Sequence, residues 1–196
     1  MDFHLDKNLI LESNCDFAEA EYAIMGVPCD STCSYRPGCR FGPLEIRREF
    51  LELDKPDSFF SKRIFDLGNI NVVHGNLEET LRREEETLQE AFGKNPDFVP
   101  ITLGGEHSVS YAPIKVLHEK YPELQIVHLD AHPDLMDDYL GEKWSHATVM
   151  KRVYDLGAQN IVQFGVRSGT DSELGLMKKL KKEIDPNLKS YVSFDL

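Results

Sequence analysis

The sequence predicts an α/β fold, a mainly parallel sheet flanked by helices. Two observations carry that prediction. Apolar β-type runs alternate with helical patterns from one end of the chain to the other, the pattern of strands joined by crossover helices. The chain has 196 residues, of which 41% are hydrophobic and 29% charged, with only 13 Gly and 10 Pro. That size and composition support one buried core and exclude a disordered or fibrous chain.

The elements read in order as follows. Tyr22 to Val27 forms a first buried strand, and a long Gly/Pro/Cys loop runs on through Pro37-Gly38 to Gly42-Pro43. A helix starts at Pro43, where a missing N–H costs nothing, with Leu44, Ile46, Arg47, Phe50 and Leu51 at rough helical spacing. Arg63 to Asp66 reads as a short strand. Asn76 with Glu79 makes a capping-box-like start, and Leu77, Leu81, Leu88 and Phe92 form the apolar stripe of the next helix, with Glu84-Glu85-Glu86 on its solvated face. Phe98 to Leu103 is a strand; after Gly104-Gly105-Glu106-His107 comes a helix capped by Ser110, with Pro113 in its first turn. Gln125 to Asp130 is a strand, Ser145 to Leu156 a helix closed by Gly157, and Asn160 to Val166 a strand. A Lys-rich helix over Asp171 to Ile184 leads into the strand Ser190 to Phe194.

Charge narrows the partners. The 22 Lys and Arg face 34 Asp and Glu, a net charge of −12, which repels phosphate backbones and anionic lipid and favours a small cationic partner. No run approaches the ~20 apolar residues of a membrane span, and Met1-Asp2-Phe3-His4 lacks the basic-then-apolar layout of a signal peptide. The expectation is a cytoplasmic protein with neither a nucleic-acid nor a membrane partner. The four cysteines fit that compartment. Cys29, Cys33 and Cys39 match neither C-x-x-C nor a zinc ribbon, so they read as small packing residues or free loop thiols.

Chemistry concentrates at two strand ends. In Leu129-Asp130-Ala131-His132-Pro133-Asp134, the residues Asp130, His132 and Asp134 are spaced two apart, so on an extended backbone all three leave the same face and converge. Carboxylate and imidazole are ligands that divalent Mn, Zn or Fe accept, and open α/β sheets place their sites at strand ends. An acidic strand end carrying a satisfied histidine is the alternative. Gly104-Gly105-Glu106-His107 supplies the second strand end, where paired glycines let the backbone pass close to another group and His107 emerges toward its neighbour.

Taken together, GVPCDSTCSYRPGCRFGP, LGGEHS, HLDAHPD, SHATVM, QFGVRS and the terminal SFD resemble, in order and over nearly the whole chain, the ureohydrolase (arginase and agmatinase) family, its agmatinase-like branch most closely. The resemblance implies a three-layer αβα fold, a homo-oligomer (trimer or hexamer), and a two-manganese site that hydrolyses a guanidinium group to urea and an amine. Carried over by motif, His107, Asp130 and Asp134 hold one manganese and His132 the other, with Asp130 and Asp195 bridging both. His146 becomes a proton shuttle or substrate ligand, its alternative being a histidine that merely starts a helix. The acidic segment with Asp137, Asp138 and Glu142 lies where the arginase branch carries neutral groups for a carboxylate. It suits a free ammonium, hence agmatine (converted to putrescine and urea) over arginine. Arg152 and Arg167 keep guanidinobutyrate and formiminoglutamate open.

The resemblance also implies that 1–196 is a single ureohydrolase-like domain representing the amino-terminal two-thirds of the family's. The aspartate completing the second metal and the glutamate holding the guanidinium then fall beyond Leu196, and a chain ending there is expected to be metal-poor and inactive. Cys29, Cys33 and Cys39 depart from the family pattern. A one-metal hydrolase of the related deacetylase architecture lacks its tandem histidines here, and no phosphate-binding glycine motif follows any strand. The remaining rival is a non-catalytic homologue or fragment that binds metal.

Overall fold

A computed structural model describes residues 4–6, 11 and 13–195. Met1 to Phe3, read above as lacking a leader, and Leu196 lie outside the described residues. The chain forms two compact units, residues 1–109 and residues 110–196.

The first unit holds a four-stranded sheet in the order β1-β3-β2-β4, built from β1 (Leu5–Asp6), β2 (Tyr22–Val27), β3 (Ile64–Ile70) and β4 (Val99–Gly104). All pairings are parallel except the short β1 edge. Central β2 carries Ala23, Met25 and Val27 almost fully buried, as a run apolar on both faces requires. The helices are α1 (Gly42–Glu52), α2 (Asp57–Phe60) and α3 (Leu77–Lys94). As expected, Pro43 sits in the first turn of α1 and Asn76 caps α3, accepting from Glu79 N at 3.0 Å. Glu79 itself does not close the box: it binds Arg82 and Arg83, which hold its carboxyl down at about 2.

Two readings of this unit are corrected. The buried positions of α1 are Pro43 and Arg47, whereas Ile46 and Leu51 are exposed. Arg47 is drawn in by Asp66, whose strand is also longer than expected. On α3 the buried stripe is Leu77, Thr80, Leu81, Glu84, Thr87, Leu88 and Ala91, so Glu84 fills the three-and-four spacing between Leu81 and Leu88 rather than the solvated face.

Glu84 is fully buried and neither carboxylate oxygen has a hydrogen-bond partner. Burial pushes its carboxyl well above the ordinary value of 4.5 because the charged form is desolvated. The folded state therefore binds a proton that the unfolded chain releases, and stability drains away as pH climbs from 4.5 toward the raised folded value. Glu84→Met is expected to stabilise the fold by about 1–3 kcal/mol. The gain should be larger at pH 8 than at pH 5 in urea melts; an equal or negative effect would contradict the assignment.

The second unit is a three-stranded parallel sheet in the order β6-β5-β7, from β5 (Gln125–Leu129), β6 (Ile161–Phe164) and β7 (Ser190–Phe194). Its helices are α4 (Tyr111–Lys120), α5 (Val149–Asp155) and α6 (Asp171–Met177). Pro113 lies in the first turn of α4, but Ser110 is helical and makes no cap bond. Ser145 and Thr148 form a capping box over a short 3-10 turn, His146–Thr148, that leads into α5, and Gly157 closes the segment at φ +101°. The Lys-rich helix is shorter than predicted. It stops at Met177; Leu180 is buried and Lys181 N donates to Ile161 O, so the segment bridges to β6 instead. No helix among the described residues is long and apolar enough to cross a membrane.

Candidate metal centre

Strand β5 is central in its sheet, and the chain leaves it at Asp130. The extended spacing predicted for Asp130, His132 and Asp134 does not persist: β5 ends at Leu129 and Asp134 adopts φ +52°. That left-handed backbone is costly for most residues and tolerated best by Asn and Asp. The loop is held there from two sides. Lys151 N donates to Asp134 O at 3.1 Å, and Leu135 N donates to Glu173 Oε1 at 3.1 Å. Glu173 is itself buried and completes a capping box with Thr170 at the start of α6. The turn thus brings Asp134 back beside Asp130, both carboxylates nearly buried.

One donor atom each from His128, Asp130 and Asp134 lies within 4.8 Å of the others. His128 was not among the sequence candidates. Its signal was available, since it precedes Asp130 by two and shares its strand face. The imidazole is fully buried and its Nε2 contacts Asp130 Oδ2 at 2.9 Å. The other oxygen, Oδ1, accepts from His132 N at 2.8 Å and lies 3.5 Å from His132 Nδ1. The His132 ring is 62% exposed. Two buried carboxylates this close repel one another unless a cation or proton compensates them. Oxygen donors with adjoining imidazoles fit a divalent transition ion, so the residues present suit the implied manganese.

The other candidates are placed as follows. Asp195 follows β7, exposed, with its N–H donating to Leu129 O at 2.9 Å, which sets it one strand over from Asp130. His146 is half-buried and packs edge-on against Tyr139, ring centroids 5.1 Å apart. Asp137 and Asp138 are exposed, yet both carboxylates have partners, one on α5 and one in the loop. Lys151 Nζ lies 3.1 Å from Asp137, and Asp138 accepts from Gly141 N.

In the first unit, His107 is buried in the 3-10 turn that follows β4. The paired glycines act as expected, because a Cβ on Gly105 would sit 1.9 Å from Cys29 O. Neighbouring Glu106, unremarked in the sequence, accepts from Thr32 N, Thr32 Oγ1 and Ser108 Oγ, tying the Gly/Pro/Cys loop to this strand end. Asp30 and Arg40 pair across the same loop, and that hydrogen bond lowers the Asp30 carboxyl. None of the four cysteines is in a disulfide; Cys33 and Cys39 touch, Sγ to Sγ 3.0 Å, and burial raises both.

Residues 20–195 match the sequence model of the Arginase family. The chain belongs to the arginase family. Among its relatives is an agmatinase from Bacillus cereus, 38% identical over 186 residues, covering 92% of this chain and 62% of that one. An N(1)-aminopropylagmatine ureohydrolase from Thermococcus kodakarensis is 38% identical over 166 residues, covering 82% of this chain and 56% of its own. Of the solved structures, agmatine ureohydrolase of Thermoplasma volcanium superposes with a TM-score of 0.74 at 28% identity, covering 92% of this chain and 59% of that chain. This likeness establishes the arginase-like α/β sandwich class expected from the sequence. The chain spans about 60% of the length of the curated arginase-family relatives it matches.

Proposed function

We propose that this arginase-family protein is a binuclear manganese ureohydrolase that cleaves agmatine to putrescine and urea. The observation that carries the reading is the buried pair Asp130 and Asp134, in a chain whose relatives include agmatinases at 38% identity. In this reading His107, Asp130, His132, Asp134 and Asp195 are the residues that would hold the two ions. Two such ions, when bound, supply a nucleophile at neutral pH and offset charge developing at the reacting carbon.

The chain's own residues do the rest. In this reading His146, held at the capped start of its turn and leaning on Tyr139, is the group that delivers a proton to the departing amine. Asp137 and Asp138 add negative potential on the loop that would meet the distal ammonium of the substrate. That potential is partly spent on Lys151, which sits between Asp137 and Asp155. A net charge of −12 concentrates small cations around the protein. We further propose one family domain over 1–196, a cytoplasmic location and a homo-oligomer, with light scattering as the check on assembly.

A second reading, cleavage of a longer agmatine derivative, is favoured by the Thermococcus relative. The test is urea release by manganese-loaded protein from agmatine, N(1)-aminopropylagmatine, guanidinobutyrate, formiminoglutamate and arginine. Turnover of agmatine well above arginine is expected. Preference for a carboxylate-bearing substrate would overturn the acidic-loop argument, and metal uptake without urea from any of them would leave a non-catalytic binding protein.

A further inference from the structure

Behind Asp130 and Asp134 stands a pair of residues that the proposed chemistry does not use. His128 on β5 and Gln163 on β6 are register partners in the parallel sheet. The Gln163 amide nitrogen lies 2.8 Å from His128 Nδ1 and 2.8 Å from Pro133 O. Pro133 O is only an acceptor, so the nitrogen must face it; a flipped amide would set two oxygens together. The buried Gln163 Oε1 has no hydrogen-bond partner, a cost that the orientation accepts. With one N–H spent on Pro133 O, the other points at His128 Nδ1, which must then be the unprotonated, accepting nitrogen. The ring proton therefore sits on Nε2 and is donated to Asp130 Oδ2 at 2.9 Å.

We infer that Gln163 and His128 form a positioning relay that fixes both carboxylates of the metal centre from behind. Through the neutral, Nε2-protonated imidazole, Gln163 sets the rotation of Asp130; through Pro133 O, it holds the backbone directly before Asp134. The geometric grouping of His128 with Asp130 and Asp134 thus has a different meaning from ligation. Both ring nitrogens are engaged by protein partners, and His128 donates toward the metal's ligand rather than to the metal. Groups that orient a ligand in this way commonly contribute 10–100-fold in metal affinity. The relay rests on the reading of Asp130 and Asp134 as manganese ligands, but its tautomer is testable without metal.

Two measurements on the purified protein decide it. Long-range 15N–1H spectra are expected to show His128 protonated at Nε2 and bare at Nδ1; an Nδ1–H tautomer overturns the relay. In calorimetric titration with Mn2+, His128→Phe is expected to weaken binding about 10–100-fold, and His128→Gln, which keeps an N–H near the Nε2 position, to recover most of the loss. Gln163→Leu, a milder change at the strand end, should weaken binding in the same direction and covers the case where His128→Phe does not fold. Wild-type affinity in folded His128→Phe or Gln163→Leu overturns the relay while leaving the metal centre intact. Failure of the wild-type protein to bind Mn2+ overturns the metal reading itself and the relay with it.

Discussion

His132→Ala is expected to lower manganese content and urea production together, whereas His146→Ala should keep the metal and lose turnover. The contrast follows from where the two rings sit. His132 leaves the loop beside Asp130 with 62% of its side chain exposed. Its removal opens no cavity and should leave folding stability within about 0.5 kcal/mol. A fall in metal content therefore reports ligation and not unfolding. Losing a direct ligand should cost at least the ~10–100-fold in affinity that outer groups contribute. His146 packs against Tyr139, and its turn is fixed by the Ser145 and Thr148 capping box, which the alanine leaves in place. Loss of a proton-transfer group typically costs 10²–10⁴-fold in kcat. Metal analysis of dialysed protein beside a urea assay separates the two. Two retained manganese ions in His132→Ala would remove His132 from the ligand set, and a metal-depleted His146→Ala would move His146 into it.

What the sequence made legible was local. Strands β2 and β5, the Asn76 cap, the Gly157 stop and the close approach at Gly105 each depend on a few consecutive residues whose chemistry fixes the backbone. The carboxylates of the site were legible because they crowd one strand end. Their geometry was not. An extended reading of Asp130 to Asp134 assumes the strand continues, while the actual turn is held by Glu173 and Lys151 from α6 and α5. No pattern within Asp130–Asp134 announces partners that far along the chain. Glu84 was hidden differently: its spacing belonged to the buried stripe, but its charge argued for solvent, and period outweighed polarity. The Lys-rich segment fails at Leu180 because burial and a bridge to β6 override helical propensity.

Arg47 is the position where this long-range logic has its largest expected energetic consequence. The helix places a guanidinium over β3, where both it and Asp66 are almost wholly buried. Nε and Nη2 form a two-pronged bond to Asp66 at 2.7 and 2.8 Å; Nη2 also reaches Gly68 O, and Nη1 donates to Asn69 Oδ1 and Pro43 O. Asp66 accepts in turn from Leu11 N and Gly68 N, so the pair is satisfied on both sides. Room for it comes from β2, since a Cβ on Gly26 would fall 2.8 Å from Arg47 Nη1 and 1.9 Å from Asn69 Oδ1. Arg47→Met keeps most of the volume but strands a buried carboxylate, and should destabilise the protein by about 3–5 kcal/mol. Removing both charges in Arg47→Met with Asp66→Asn should recover part of that loss, because the penalty comes from the unpaired charge more than from the missing attraction. Urea melts of the two single variants and the double variant give the coupling directly. Additive losses would mean that the pair is held by packing alone, and an unperturbed Arg47→Met would place the helix elsewhere than over Asp66.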